Sequence, residues 1–163
     1  MSASAVPSSS ADIAKLLANV PLFRGLNEPS LERMAEVSRV VAYGRNDVIF
    51  REGEIGDALY VVLQGEVRIS REVAGMGEEA LTILARGEAF GEMSVMNDFP
   101  RSADAKAHTA TELLAVSRDA FEDLLFLDKD LAYEILWNFV RTLSTRLRET
   151  NDKMTFLTIS GKY

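Results

Sequence analysis

Residues 90–103 read FGEMSVMNDFPRSA, a mostly apolar stretch with one carboxylate, Glu92, directly after Gly91 and one guanidinium, Arg101, directly after Pro100. If Gly91-Glu92-Met93-Ser94 opens a single helical turn with Val95 and Met96 pointing inward, its first backbone N–H groups lack partners. Such a terminus carries partial positive charge and suits a phosphate. Gly91 lets a ligand come close to the backbone. Asn97-Asp98-Phe99-Pro100 reads as a turn that brings Arg101 and Ser102 back beside the same terminus. Arg101 can then grip an anion through two parallel hydrogen bonds, and Ser102 can donate another. Glu92 only accepts hydrogen bonds, so its fitting partner is a neutral donor such as a sugar hydroxyl beside the phosphate. Together these groups describe a ribose phosphate of low charge. The same residues also permit a plainer arrangement, in which Glu92 favours a helix N-terminus and Arg101 pairs with it across the turn.

These residues must be held by a folded body, and the composition supplies one. The chain has 163 residues, 47% of them apolar and 26% charged, enough for one sizeable core. Nothing approaches the roughly 18 consecutive apolar residues of a membrane span, so a soluble protein is expected. Cysteine is absent, which removes disulfides, thiolate metal sites and cysteine nucleophiles together and fits a cytoplasmic location. His108 is the single histidine, so a histidine-rich metal centre cannot be assembled; it is expected at the surface near a turn. A net charge of −7 disfavours a phosphate-gripping DNA surface.

The first eleven residues, small and polar without the pattern of a signal peptide, read as a flexible tail. Ile13, Leu16 and Leu17 predict a short helix from Asp12 to Ala18, ended by Pro21. Asn27-Glu28-Pro29-Ser30 predicts the start of a second helix running to about Ser38. The period then changes. Val40–Tyr43, Val48–Phe50, Leu59–Leu63, Val67–Ser70 and Leu81–Leu84 are short β-branched and aromatic runs separated by glycine turns. Two further strands, near 103–107 and 112–116, flank the turn at His108, and the regular spacing predicts an antiparallel barrel or double sheet.

Ser117 is placed to cap a helix over Arg118–Leu127, and from Asp130 no glycine or proline occurs before Gly161. That permits one long helix. Along it Tyr133, Leu136, Val140, Leu143, Leu147, Thr150, Met154 and Leu157 alternate three and four residues apart, a heptad seam of about three and a half repeats. A two-chain coiled coil is the natural reading, with Ile135, Trp137 and Phe139 off the seam and able to pack on the barrel. The other reading lays the helix on its own barrel.

The segment resembles the phosphate-binding cassette of the cyclic nucleotide-binding domain family, through Phe90-Gly91-Glu92 and Pro100-Arg101-Ser102-Ala103 at the usual spacing. Phe50-Arg51-Glu52-Gly53 and the run from Leu59 to Val67 match as well, and the resemblance extends from about Leu22 to Leu157. It implies an eight-stranded antiparallel β-roll, jelly-roll-like and mainly β with flanking helices, over residues 12–128. A C-terminal dimerisation helix over 129–157 and a hinge-like tail over 158–163 follow. It also implies a non-enzymatic sensor with cyclic AMP or cyclic GMP as ligand and no cofactor or metal. Glu92 would then hold the ribose 2′-hydroxyl, Arg101 the cyclic phosphate and Ser102 a phosphate or base contact, with the amides of Gly91, Glu92, Met93 and Ser94 completing the cradle between Phe90 and Ala103.

The C-terminal helix is similar to that of the bacterial catabolite activator group. The likeness puts Thr150 and Asn151 where that group meets the base, a Thr-Ser pair there, and puts Arg146 where it could brace Glu92. In that group a hinge leads on to a DNA-binding domain; here the sequence stops at Tyr163, so no DNA binding by this chain is expected. The alternative is a sensor fragment of a larger transcription regulator or signalling enzyme. A barrel enzyme of the cupin type is disfavoured by the single histidine.

Overall fold

The structure, a computed structural model, describes residues 9–160. Helix α1 (Ser10–Leu17) begins where the Ser9 hydroxyl accepts from the amide of Asp12, so residues 10 and 11, expected in the tail, are helical. A 3-10 turn at Pro21–Phe23 follows. Helix α2 (Glu28–Glu36) is capped by the Asn27 side chain with Pro29 in its first turn. It ends sooner than its apolar period implied. Ser38 turns its hydroxyl back onto the Ala35 carbonyl and opens the first strand instead.

Eight strands form the roll: β1 (Ser38–Tyr43), β2 (Val48–Phe50), β3 (Ala58–Gln64), β4 (Val67–Val73), β5 (Gly77–Leu84), β6 (Ala89–Phe90), β7 (Asp104–Ala107) and β8 (Thr111–Ser117). They pair antiparallel in two four-stranded sheets, ordered β1-β8-β3-β6 and β2-β7-β4-β5. Strand β3 explains the layering. It is buried on both faces: Leu59, Val61 and Leu63 meet the helices, whereas Tyr60 and Val62 face the interior of the roll. The helix-side core joins them to Leu17, Phe23, Met34, Phe121, Leu131 and Ile135, and the roll-side core holds Val67, Phe90, Ala105 and Leu113.

Helix α3 (Glu92–Met96) leaves the sheet after β6, and α4 (Arg118–Leu127) is capped by Ser117 as its sequence requires. Helix α5 runs 32 residues from Lys129 to Ser160. Residues 158–160, expected in a hinge, therefore continue the helix, and 161–163 lie outside the described residues. Two side chains fix its first third. Asp128 caps it at the amide of Leu131 (3.0 Å) and also receives Ser30 (3.0 Å) and Arg33. That amide, with help from Ser30 and Arg33, holds the Asp128 carboxyl below the usual carboxylate range. Asn138, buried, donates to the carbonyls of Leu22 (3.2 Å) and Arg24 (2.6 Å).

The seam lies open. Tyr133, Leu136, Val140, Leu147, Met154 and Leu157 are exposed and Leu143 is half-buried, while Ile135 is buried against the N-terminal helices and Phe139 packs beside it. Trp137, expected to be able to pack on the barrel, is 45% exposed and meets Tyr133 edge to face at 6.4 Å. Two residues after Ile135 and one before Asn138, it is rotated by about 200° and 100° around the helix from those buried side chains and so points off the packed stripe.

Outside the roll Glu78 joins three strands, accepting from Lys106 (2.9 Å), Ser70 (2.7 Å) and Arg68 (2.9 Å). Those bonds, Lys106 foremost, pull its pKa from 4.5 to about 2. A carboxyl depressed in the folded state stabilises it above the unfolded value and loses that effect as pH falls through the folded one. Thermal melts of Glu78→Gln should therefore lose less stability than wild type between pH 4.5 and 2, and equal slopes would contradict the assignment. Asn138→Ala should cost about 1–3 kcal/mol in urea unfolding, because a buried and a part-buried carbonyl lose their donor.

Candidate functional site

Arg101 lies at the centre, only 2% exposed. Its Nη1 donates to the Gly91 carbonyl (2.8 Å) and its Nη2 to the Ala58 carbonyl (2.7 Å). The guanidinium stacks over the Phe50 ring, 4.0 Å from its centroid, with Tyr60 at 5.9 Å. The Asp57 carboxylate stands 3.5 Å from Nη2. Burial lowers the Arg101 pKa, opposed by Tyr60 and Asp57, but an arginine keeps its proton. Burial likewise raises Tyr60 to about 12, helped by Tyr43 and Asp57. Of the three guanidinium nitrogens, Nε alone has no hydrogen-bond partner, and it is buried.

Local sequence explains how a cation reaches this depth. Phe50, Tyr60 and Phe90 come from β2, β3 and β6 and cluster with centroids 5.3–6.1 Å apart, giving the guanidinium its aromatic floor. Gly91 has φ +75°, and a Cβ there would lie 2.6 Å from Arg101 Nη1. A Cβ on Gly56 would lie 2.2 Å from that of Ser94 and 3.2 Å from Arg101 Cζ, so two glycines make the room. Backbone bonds from Arg101 N to Glu54 O (2.8 Å) and from Gly53 N to Arg101 O (2.9 Å) tie its segment to the β2–β3 loop.

Helix α3 has five residues, and its apolar members anchor it: Val95 enters the helix-side core and Met96 packs against it. The side chain of Asn97 accepts from the amide of Phe99, making the expected turn. Glu92 is buried, 5% exposed, and accepts from Arg146 Nη1 of α5 at 2.6 Å. The direct Glu92–Arg101 pair, one of the two arrangements open from the sequence, is not formed. Each charge has its own partners.

The other expected site residues divide. Phe90, Ser94 and Ala103 are buried, Phe90 within the aromatic cluster and Ser94 against Gly56; Met93 is 42% exposed and Ser102 is exposed beside Arg101. Arg146 reaches Glu92 as its position suggested. Thr150, one turn further along α5, donates to the Arg146 carbonyl (2.8 Å), and Asn151 is exposed. Among the described residues neither forms a hydrogen bond to α3 or to Arg101. Distance along the helix accounts for this, since a turn beyond Arg146 carries them about 5.4 Å further.

Three residues escaped the sequence reading: Gly56, Asp57 and Arg118. The first two stood in a stretch read only as a turn, and Arg118 only as the first residue after a cap. A cleft of about 430 Å³ opens beside the Glu92–Arg146 pair, lined also by Arg24, Glu88, Phe139 and Glu149. His108 is half-buried on the β7–β8 turn, its amide donating to Glu66. Among the described residues no three His, Cys, Asp or Glu side chains gather as metal ligands.

Comparison with known proteins places this geometry. The family model "Cyclic nucleotide-binding domain" matches residues 40–128, which hold the whole roll after Arg39 together with α3 and Arg101. The "Cyclic AMP receptor protein" of Thermus thermophilus is 38% identical over 137 residues, 84% of this chain and 62% of the relative. The "CRP-like cAMP-activated global transcriptional regulator" of Mycobacterium tuberculosis is 29% identical over 140 residues, 86% of this chain and 61% of the relative. The chain thus spans about three fifths of the length of these two relatives. The crystal structure of Thermus thermophilus catabolite activator protein superposes with a TM-score of 0.74 at 35% identity, covering 85% of this chain and 63% of that one. With a family match over more than half of its residues, this chain belongs to the cyclic nucleotide-binding domain family.

Proposed function

We propose that this chain is a sensor for cyclic AMP or cyclic GMP and does no chemistry on its ligand. The observation that carries the reading is the buried Arg101 guanidinium with an unspent Nε donor, beside a buried carboxylate, Glu92. A cyclic phosphate carries one negative charge, which that cation can match through charge-assisted hydrogen bonds. The adjoining ribose hydroxyl supplies the neutral donor that Glu92 can accept. Ser102 lies next to Arg101 and serves as a further donor, while the α3 segment from Gly91 to Ser94 forms the wall. The names of the two curated relatives support cyclic AMP. A hydroxyl at Ser102 accommodates either purine, since it donates and accepts.

Glu92 links ligand to readout. A ribose that shares this carboxylate with Arg146 acts on α5 directly, and a ligand shifts an equilibrium only through contacts that differ between states. The exposed heptad seam supports a homodimer in which α5 pairs with its copy, and Thr150 and Asn151 are then available to a base from either protomer. The charge of −7 supports partners other than DNA for this chain. The lack of cysteine favours a cytoplasmic setting; no helix among the described residues is long and apolar enough to cross a membrane.

Titration calorimetry with cyclic AMP and cyclic GMP tests the site. Arg101→Ala should weaken binding by about 1.5–3 kcal/mol, roughly ten- to a hundredfold, and unchanged affinity would sink the assignment. The seam is tested by sedimentation: Leu147→Glu places like charges at its middle and should yield monomers, whereas an unaltered dimer would put the interface elsewhere.

A further inference from the structure

The first residue of α4 reaches into both loops that enclose Arg101. Arg118 Nε donates to the Gly56 carbonyl (3.0 Å), Nη2 to the carbonyls of Ser94 and Asn97 (3.3 Å for Asn97), and Nη1 to the Asp98 carboxylate (3.0 Å). Its own amide donates to the Asp57 carbonyl at 2.7 Å. Asp98 is fully exposed, so that ion pair contributes little; the carbonyl bonds matter more. Ser94 and Asn97 mark the C-terminal end of α3, where helix carbonyls lack partners within the helix, and a cation there also suits the helix dipole. Gly56 and Asp57 of the β2–β3 loop also border Arg101: Gly56 has no room for a Cβ against Arg101 and Ser94, and the Asp57 carboxylate lies 3.5 Å from Nη2.

We infer that Arg118 is the positioning residue of the anion site and the strut through which movement of α3 reaches α4 and α5. It touches no ligand. It holds α3 and the β2–β3 loop at a fixed separation around Arg101, which preorganises the cradle. It is also rigidly part of α4, whose Phe121 and Leu124 share one core with Leu131 and Ile135 of α5. A displacement of α3 on binding therefore pulls on α4 through this guanidinium, independently of the Arg146–Glu92 pair. Arginine suits the task because its planar fork serves several acceptors at once, which a lysine ammonium on a flexible stem does not reproduce.

The inference rests on the sensor reading, and one experiment separates the two. Trp137 is the single tryptophan and lies half-exposed on α5, so its emission reports on that helix. The full chain is titrated with cyclic AMP and cyclic GMP, following calorimetric affinity and Trp137 emission, for wild type, Arg118→Ala, Arg118→Lys and Asp98→Asn. The expected result is binding with an emission change in wild type and in Asp98→Asn. Arg118→Ala should bind about ten- to a hundredfold more weakly and lose most of the emission change even at saturation, with Arg118→Lys between. If Arg118→Ala does not fold, Arg118→Lys decides by the same two readouts. Wild-type affinity in Arg118→Ala and Arg118→Lys, or a full Trp137 response at saturation despite weaker binding, overturns the inference while leaving the sensor reading intact. Wild-type binding without any Trp137 change overturns it too. If wild type binds neither nucleotide, the sensor reading fails and takes the inference with it.

Discussion

A guanidinium kept from water on a phenylalanine ring sets the terms for this structure. Removing a cation from water costs several kcal/mol unless its hydrogens find acceptors and its charge finds compensation. Arg101 meets that cost with backbone carbonyls at Gly91 and Ala58, the Phe50 ring and the nearby Asp57 carboxylate. These partners come from separate strands and loops, so β2, β3 and β6 must be in register before the residue is tolerable. The unused Nε then has a physical meaning. A buried donor without a partner is costly, and an incoming anion that accepts from it gains what the folded chain alone leaves unmade.

The same economy of partners governs the helices. Helix α5 is fastened at its start by Asp128 and Asn138, both engaging the N-terminal helical segment. Further along, an ion pair from Arg146 reaches α3. Beyond that point its apolar side chains face solvent: Met154, Phe156, Leu157 and Ile159 are all exposed. A helix of this length gains little from intrinsic propensity and needs its apolar stripe covered. The helix is thus anchored at one end, tied to the cassette at mid-length and open beyond, the arrangement on which the proposed readout rests.

Much of this was legible in the sequence, for identifiable reasons. β-branched runs broken by glycine placed seven of the eight strands, and freedom from glycine and proline marked α5 as one helix. The Gly91–Ser94 segment and Arg101 could be paired because the turn between them has its own residue chemistry. What escaped was non-local or too short to have a period. Strand β6 has two residues, Ala89 and Phe90, of which Phe90 was read as the start of the cassette motif. Arg118 reads as any polar residue after an N-cap until the carbonyls of Gly56, Ser94 and Asn97 converge on it. The direct Glu92–Arg101 pair remained open because sequence spacing alone does not reveal that Arg146 and two carbonyls claim the same charges. Trp137 and residues 158–160 were misjudged for a related reason: side-chain direction and helix length follow from packing and capping, which apolar content does not fix.

The most direct measurement is a crystal structure of the protein grown with cyclic AMP. A cyclic phosphate oxygen within hydrogen-bonding distance of Arg101, with the ribose hydroxyl on Glu92, is the expected result. A nucleotide bound elsewhere, with Arg101 making no contact to its phosphate, would contradict the central claim that this buried cation exists to meet an anion.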